Sequence, residues 1–169
     1  MTAKELMVLK ARIKEETTNM QNLLNELRDK NLLKNEDNES IYVGDDSFTL
    51  RAIGSILHDF YVAAENVFEM ISREIDESTP QGLDWHLKLL KQMNLQLEAV
   101  RPAVISKETL VMLDKYRAFR HVFRNVYGFN LDTGRLRDLL EEMPLAVDSL
   151  TKDLTKFIRN MENIINAVD

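Results

Sequence analysis

The chain has 169 residues, 28 acidic and 22 basic side chains, a net charge of -6, and only 5 Gly and 3 Pro. Turn-rich β or Rossmann-like folds are excluded, because average usage of those two residues together is about 12%, and a single mostly helical domain over residues 1–169 is expected. The absence of cysteine removes disulfides, thiolate nucleophiles and Cys-based zinc sites, and the acidic balance confines any polyanion site to a local patch.

Over residues 4–30, Leu6, Leu9, Ile13, Met20, Leu23, Leu24 and Leu27 recur at three-four spacing and predict an amphipathic first helix. No apolar leader precedes it and no apolar run approaches the ~20 residues of a membrane span, so a cytoplasmic protein without membrane contact is expected. Residues 31–47 read as a polar loop. Its Asp37, Glu39, Asp45 and Asp46 lack EF-hand spacing and are taken as solvated, not as a metal site. A second helix is predicted over about residues 48–76, with Ser47 as its N-cap and Leu50, Ile53, Leu57, Phe60, Ala64, Val67, Ile71 and Ile75 as its seam. Pro80 and Gly82 break the chain, and a third helix starts at Trp85, carries Leu89, Leu90, Met93 and Leu97, and ends near Arg101 and Pro102. Ser106 can cap a fourth helix that runs to about residue 127 and stops at Gly128. Asp132 opens a short helix to Glu142, and Pro144 opens a last one carrying Leu150, Leu154, Phe157, Ile158 and Met161. The sum is an all-α, up-and-down bundle of five to six helices.

A di-iron bundle needs Glu-x-x-His pairs, but the residues three before the three histidines are Ser55, Leu83 and Ala118. The five glycines are too dispersed for a phosphate loop. No metal or cofactor is therefore expected. The informative stretch lies in the fourth helix, where Arg117, Arg120, Arg124 and Tyr127 are separated by three, four and three residues. At about 100° per residue they form one stripe, flanked by His121 and Asn125. Three arginines in an acidic chain, with a His, an Asn and a Tyr beside them, suit a phosphodiester. The competing reading pairs these arginines with acids of neighbouring helices, such as Glu65, Glu69 or Glu98. His58 and His86, next to seam residues, read as satisfied, partly buried imidazoles.

From Leu50 onward the sequence resembles the HEPN superfamily and, within it, the HepT-like toxins. The resemblance is carried by Leu57-His58-Asp59-Phe60-Tyr61 with Glu65, by Trp85-His86-Leu87-Lys88-Leu89-Leu90, by Arg101-Pro102, and by Phe119-Arg120-His121 through Arg124-Asn125-Val126-Tyr127-Gly128. The first helix is less characteristic. The family signature is an Arg, four to six residues, a His, and often a Tyr two later. Arg120 and Tyr127 match it, and Asn125 stands where the His belongs.

The resemblance implies a HEPN-like bundle that dimerises with its motif helices together, and an MNT-type nucleotidyltransferase antitoxin as partner, which in some systems transfers AMP to the motif Tyr. It also implies metal-independent attack of a ribose 2′-hydroxyl on the adjacent phosphate. In that frame Arg120 stabilises the developing charge, Arg117 and Arg124 position the RNA, His121 or Asn125 serves the 2′-hydroxyl, and Tyr127 is the control point. Asn125 has no basic nitrogen to take the proton, although its amide can still donate to a phosphate oxygen. Two further readings stand beside the toxin: a non-catalytic relative that binds RNA, a nucleotide or a protein through the same stripe, and a bundle whose arginines are internal ion-pair partners.

Overall fold

The computed structural model describes residues 1–33, 46–125 and 131–167. Among them are five helices: α1 (Ala3–Asp29), α2 (Ser47–Glu74), α3 (Trp85–Met93), α4 (Lys107–Asn125) and α5 (Thr133–Asn166). No strand accompanies them, only an isolated bridge between Leu97 and Arg101. No described helix is long and apolar enough to cross a membrane.

The helices start where short polar side chains take up free backbone N–H groups. Thr2 and Glu5 form a reciprocal capping box on α1, and Asp132 accepts from the Arg135 N–H on α5. At the head of α2 the cap is Asp46, not Ser47: the Asp46 carboxylate accepts from the Thr49 N–H, and Ser47 is the first helical residue. Ser106 accepts from the Thr109 N–H at the start of α4, as its sequence position predicts.

Contacts between the helices show their directions. Lys10 pairs with Glu162, Arg12 with Glu74 and Lys115 with Glu142, while Gly54 lies against Phe123. The long helices α1, α2, α4 and α5 thus alternate up and down, α1 packing on α2 and α5, and α4 on the same two helices from the other side. The short α3 lies across α2 and α4. The fully buried side chains at the centre include Leu9, Met20, Phe60, Leu113, Tyr116 and Leu150. Phe60 and Tyr116 meet edge to face with centroids 4.9 Å apart, and the Tyr116 hydroxyl donates to the Leu139 carbonyl. Burial pushes the Tyr116 phenol far above its ordinary pKa, with Glu142 adding to the effect, so it stays a neutral donor.

Two helix boundaries differ from the sequence reading. Residues 133–166 form one helix with Pro144 inside it, not two. Leu136, Leu139, Leu140, Met143, Ala146, Val147 and Leu150 share one buried face across the proline, and that packing outweighs the roughly 3 kcal/mol cost of an interior proline. The third helix stops at Met93, well short of Arg101. The Met93 carbonyl accepts from the N–H groups of Val104 and Ile105, and Leu95 is 55% exposed, so the apolar spacing beyond Met93 marks no buried helical face. The segment that follows is anchored by Arg101, whose buried guanidinium is clamped by Asp76 through Nε at 2.5 Å and through a second N–H at 2.8 Å.

Candidate functional site

Packing of α3 across α2 and α4 leaves a cleft of about 490 Å³ lined by Leu83, Asp84, His86, Leu87, Arg117, Arg120, His121, Arg124 and Asn125. The arginine stripe of α4 forms one wall, because residues 117, 120 and 124 recur every three to four positions. The N-terminal turn of α3 and the residues just before it form the other.

The three arginines sit in different environments. Arg124 is exposed and has no ion-pair partner among the described residues. Arg117 is half-buried and donates from Nε to the Asp114 carboxylate one turn earlier at 2.6 Å. Arg120 is the deepest, its side chain 14% exposed, with one terminal nitrogen 3.3 Å from Glu65 Oε2. Glu65 is a carboxylate buried on the inward face of α2. It accepts from His86 Nδ1 at 2.6 Å through its other oxygen. One carboxylate of α2 therefore holds both an imidazole of α3 and a guanidinium of α4.

His86 is confined on both faces. The Trp85 ring lies 3.7 Å from it, centroid to centroid. On the other side the second terminal nitrogen of Arg120 is 3.2 Å from Nδ1 and 3.1 Å from Nε2. An in-plane atom equidistant from both ring nitrogens would collide with the carbon between them, so this nitrogen lies across the ring face, a cation–π arrangement. The Arg120 Nε is buried without a hydrogen-bond partner among the described residues. Tyr61, one turn before Glu65 on α2, is also buried. Burial, with the Glu65 charge adding, pushes its phenol far above the ordinary range, although Arg117 and Arg120 oppose the shift.

At the cleft rim, Asn125 turns back onto its own helix: its amide nitrogen donates to the His121 carbonyl at 2.7 Å, leaving one N–H unused. The His121 ring is exposed. Among the described residues no group of three or more His, Asp or Glu side chains could hold a metal ion.

The sequence profile of HepT-like proteins matches residues 52–161 of this chain. The chain belongs to the HepT-like family. No curated protein and no solved structure matches it. The matched span runs from the second turn of α2 into the last turns of α5 and contains the whole cleft, while α1 of this HepT-like protein lies outside it.

Five of the six residues singled out in the sequence, Arg117, Arg120, His121, Arg124 and Asn125, line this one cleft. The sixth, Tyr127, lies outside the described residues, as do Gly128 and the acidic residues Asp37, Glu39 and Asp45. The reading that pairs the stripe with acids of neighbouring helices holds for Arg120, which takes Glu65, and not for Arg117, which takes Asp114 of its own helix. The Glu65 to His86 contact joins residues 21 apart on different helices, and no local spacing reveals it. One signal was present: Glu65 is a charge set between Tyr61, Ala64 and Phe68 on the apolar seam of α2, and such a charge needs a buried partner. His58, by contrast, contacts Asp59 and the Phe123 ring and does not line the cleft.

Proposed function

We propose that this HepT-like protein is the toxin component of a HEPN/MNT toxin–antitoxin pair, an RNA-binding protein that cleaves its substrate without a metal ion. The supporting observation is the cleft, where three arginines from one helix converge on a space bordered by two imidazoles and an amide. Guanidinium groups match phosphate oxygens in shape and charge, and Arg124 is free to bind at once. Arg120 is already held in place against Glu65 where it lines the cleft. Attack of a ribose 2′-hydroxyl on the adjacent phosphodiester needs charge stabilisation at phosphorus and a base, and needs no metal. In this reading Arg120 meets the developing charge, Arg117 and Arg124 align the backbone, and His121 or Asn125 borders the 2′-hydroxyl. Two copies pair through their motif helices, and an MNT-type nucleotidyltransferase acts on Tyr127, where an added adenylate would place negative charge beside Arg124.

Asn125 favours a second reading. Its side chain is committed to the His121 carbonyl and carries no basic nitrogen, as expected of a family member that binds RNA without cleaving it. The two readings part in one experiment, cleavage of total RNA and tRNA in excess chelator by wild type, Arg120→Ala and Asn125→His at matched concentration. The ribonuclease reading expects wild-type cleavage that Arg120→Ala abolishes and Asn125→His raises. An inert wild type with an active Asn125→His variant gives the binding reading, and indifference to both substitutions removes the site altogether.

A further inference from the structure

We propose that His86, oriented by Glu65, is the general base for RNA cleavage in this cleft, doing from α3 what the missing motif histidine would do from position 125. The inference rests on the ribonuclease reading above. A base for the 2′-hydroxyl needs an in-plane lone pair that faces the phosphate-binding arginines and is held in one orientation. Two imidazoles line the cleft. The His121 ring is exposed and has no orienting partner among the described residues. The His86 ring is fixed from three directions: by the Glu65 carboxylate at Nδ1, 2.6 Å away, by the Trp85 ring on one face and by Arg120 on the other.

The Glu65 contact also selects the tautomer. A carboxylate accepts, so Nδ1 carries the proton and Nε2 keeps its lone pair. Arg120 approaches across the ring face and not along that in-plane lone pair, and His86, its side chain 26% exposed, lines the cleft. The buried carboxylate then stabilises the imidazolium that forms, the same division of labour as between a histidine and its acidic partner in a hydrolase triad.

In the reaction Nε2 takes the proton of the 2′-hydroxyl while O2′ bonds to phosphorus. The bond from phosphorus to O5′ breaks, its electron pair stays on O5′, and O5′ takes a proton from water. The products are a 2′,3′-cyclic phosphate and a 5′-hydroxyl, and the imidazolium returns its proton to solvent. The charged and titratable groups around the ring are Glu65 from α2, Arg117, Arg120, His121 and Arg124 from α4, and Asp84 at the head of α3.

The test is His86→Asn, whose amide keeps a donor near the Nδ1 position and has no counterpart to the Nε2 lone pair. A single-stranded oligoribonucleotide in chelator measures cleavage, and its 2′-O-methyl version measures affinity. The expected result is a cleavage rate at least about 100-fold lower, loss of the acid limb of the pH–rate profile, and unchanged affinity for the 2′-O-methyl strand. His86→Gln, a second variant that removes the same lone pair, is expected to lose the same limb. Wild-type cleavage that survives His86→Asn, or an acid limb that disappears in His121→Asn instead, overturns the assignment and leaves the ribonuclease reading standing. A wild type that binds the 2′-O-methyl strand and cleaves no RNA overturns both.

Discussion

Arg101, fully buried against the chain just past α2, and Arg120, half-buried against α2 itself, each hold neighbouring segments together, and they are built to opposite specifications. The guanidinium of Arg101 has five N–H groups and five hydrogen bonds: two to Asp76 and one each to the carbonyls of Leu95, Pro102 and Gln92. Its carboxylate partner is equally occupied, since Asp76 also accepts from Gln92 at 2.6 Å, and both ionic side chains are 1% exposed or less. Arg120 touches Glu65 at 3.3 Å, leans on an imidazole face and keeps a buried Nε unpartnered among the described residues. A buried cation with every donor used has nothing left for a ligand. Arg120, which lines a cleft and is held by a single longer ion pair, keeps a guanidinium that an acceptor in the cleft can share.

The largest expected effect therefore falls on stability at the closed site. Arg101→Ala leaves Asp76 buried and charged without its cation, and urea denaturation should show a loss of about 3–5 kcal/mol. Arg120→Ala should cost clearly less, because Glu65 keeps His86 as a donor. RNA affinity should respond in the reverse order, unchanged in folded Arg101→Ala and lost in Arg120→Ala. Equal stability losses with unchanged RNA affinity in both variants would make Arg120 a second structural clamp and break the comparison.

A substitution at Gly54 sharpens it from behind the cleft. A Cβ there would meet Phe123 Cε2 at 2.5 Å and Cδ2 at 2.9 Å. Phe123 lies between Arg120 and Arg124 on α4 and also stacks on Phe119, with centroids 5.7 Å apart. In Gly54→Ala the ring must move, at an overpacking cost of about 1–3 kcal/mol. Replacing glycine in a helix returns about 1 kcal/mol of that. The net stability change should be small in a thermal melt. Cleavage should fall about tenfold, since displacing the arginine wall by a fraction of an ångström disturbs the geometry of attack.

The bundle was legible because its seams repeat at helical spacing: the buried residues of α1 fall on the predicted stripe, and those of α2 include the predicted Leu50, Ile53, Leu57, Phe60, Ala64, Val67 and Ile71 within a wider buried face that also takes in Ile56, Tyr61, Ala63, Glu65 and Phe68. What misled was local punctuation. Pro144 reads as a helix start, yet one continuous apolar face carries the helix through it. Leu97 extends the spacing of α3, yet the chain has already turned so that Val104 and Ile105 can reach the Met93 carbonyl. The arginine wall was legible for the same reason as the seams, since residues at three-four spacing share a face. The other half of the cleft depends on contacts across helices, Glu65 to His86 and Arg120 to both, and these arise only when α3 packs across α2 and α4. A buried glutamate announces that it has a partner, without saying which.

The smallest effect tests the most exposed member of the wall. Arg124 makes no ion pair among the described residues, so Arg124→Ala should leave the melting curve where it is, within about 0.5 kcal/mol in stability. If it contacts an RNA phosphate, removing it weakens binding of every sequence alike and lowers the slope of log affinity against log salt by about one. Arg117→Ala should lower that slope less, because its guanidinium already shares charge with Asp114. An unchanged slope in Arg124→Ala would mean that the phosphates do not follow the outer end of the stripe. Recognition would then be confined to the depth at which Arg120 and His86 meet.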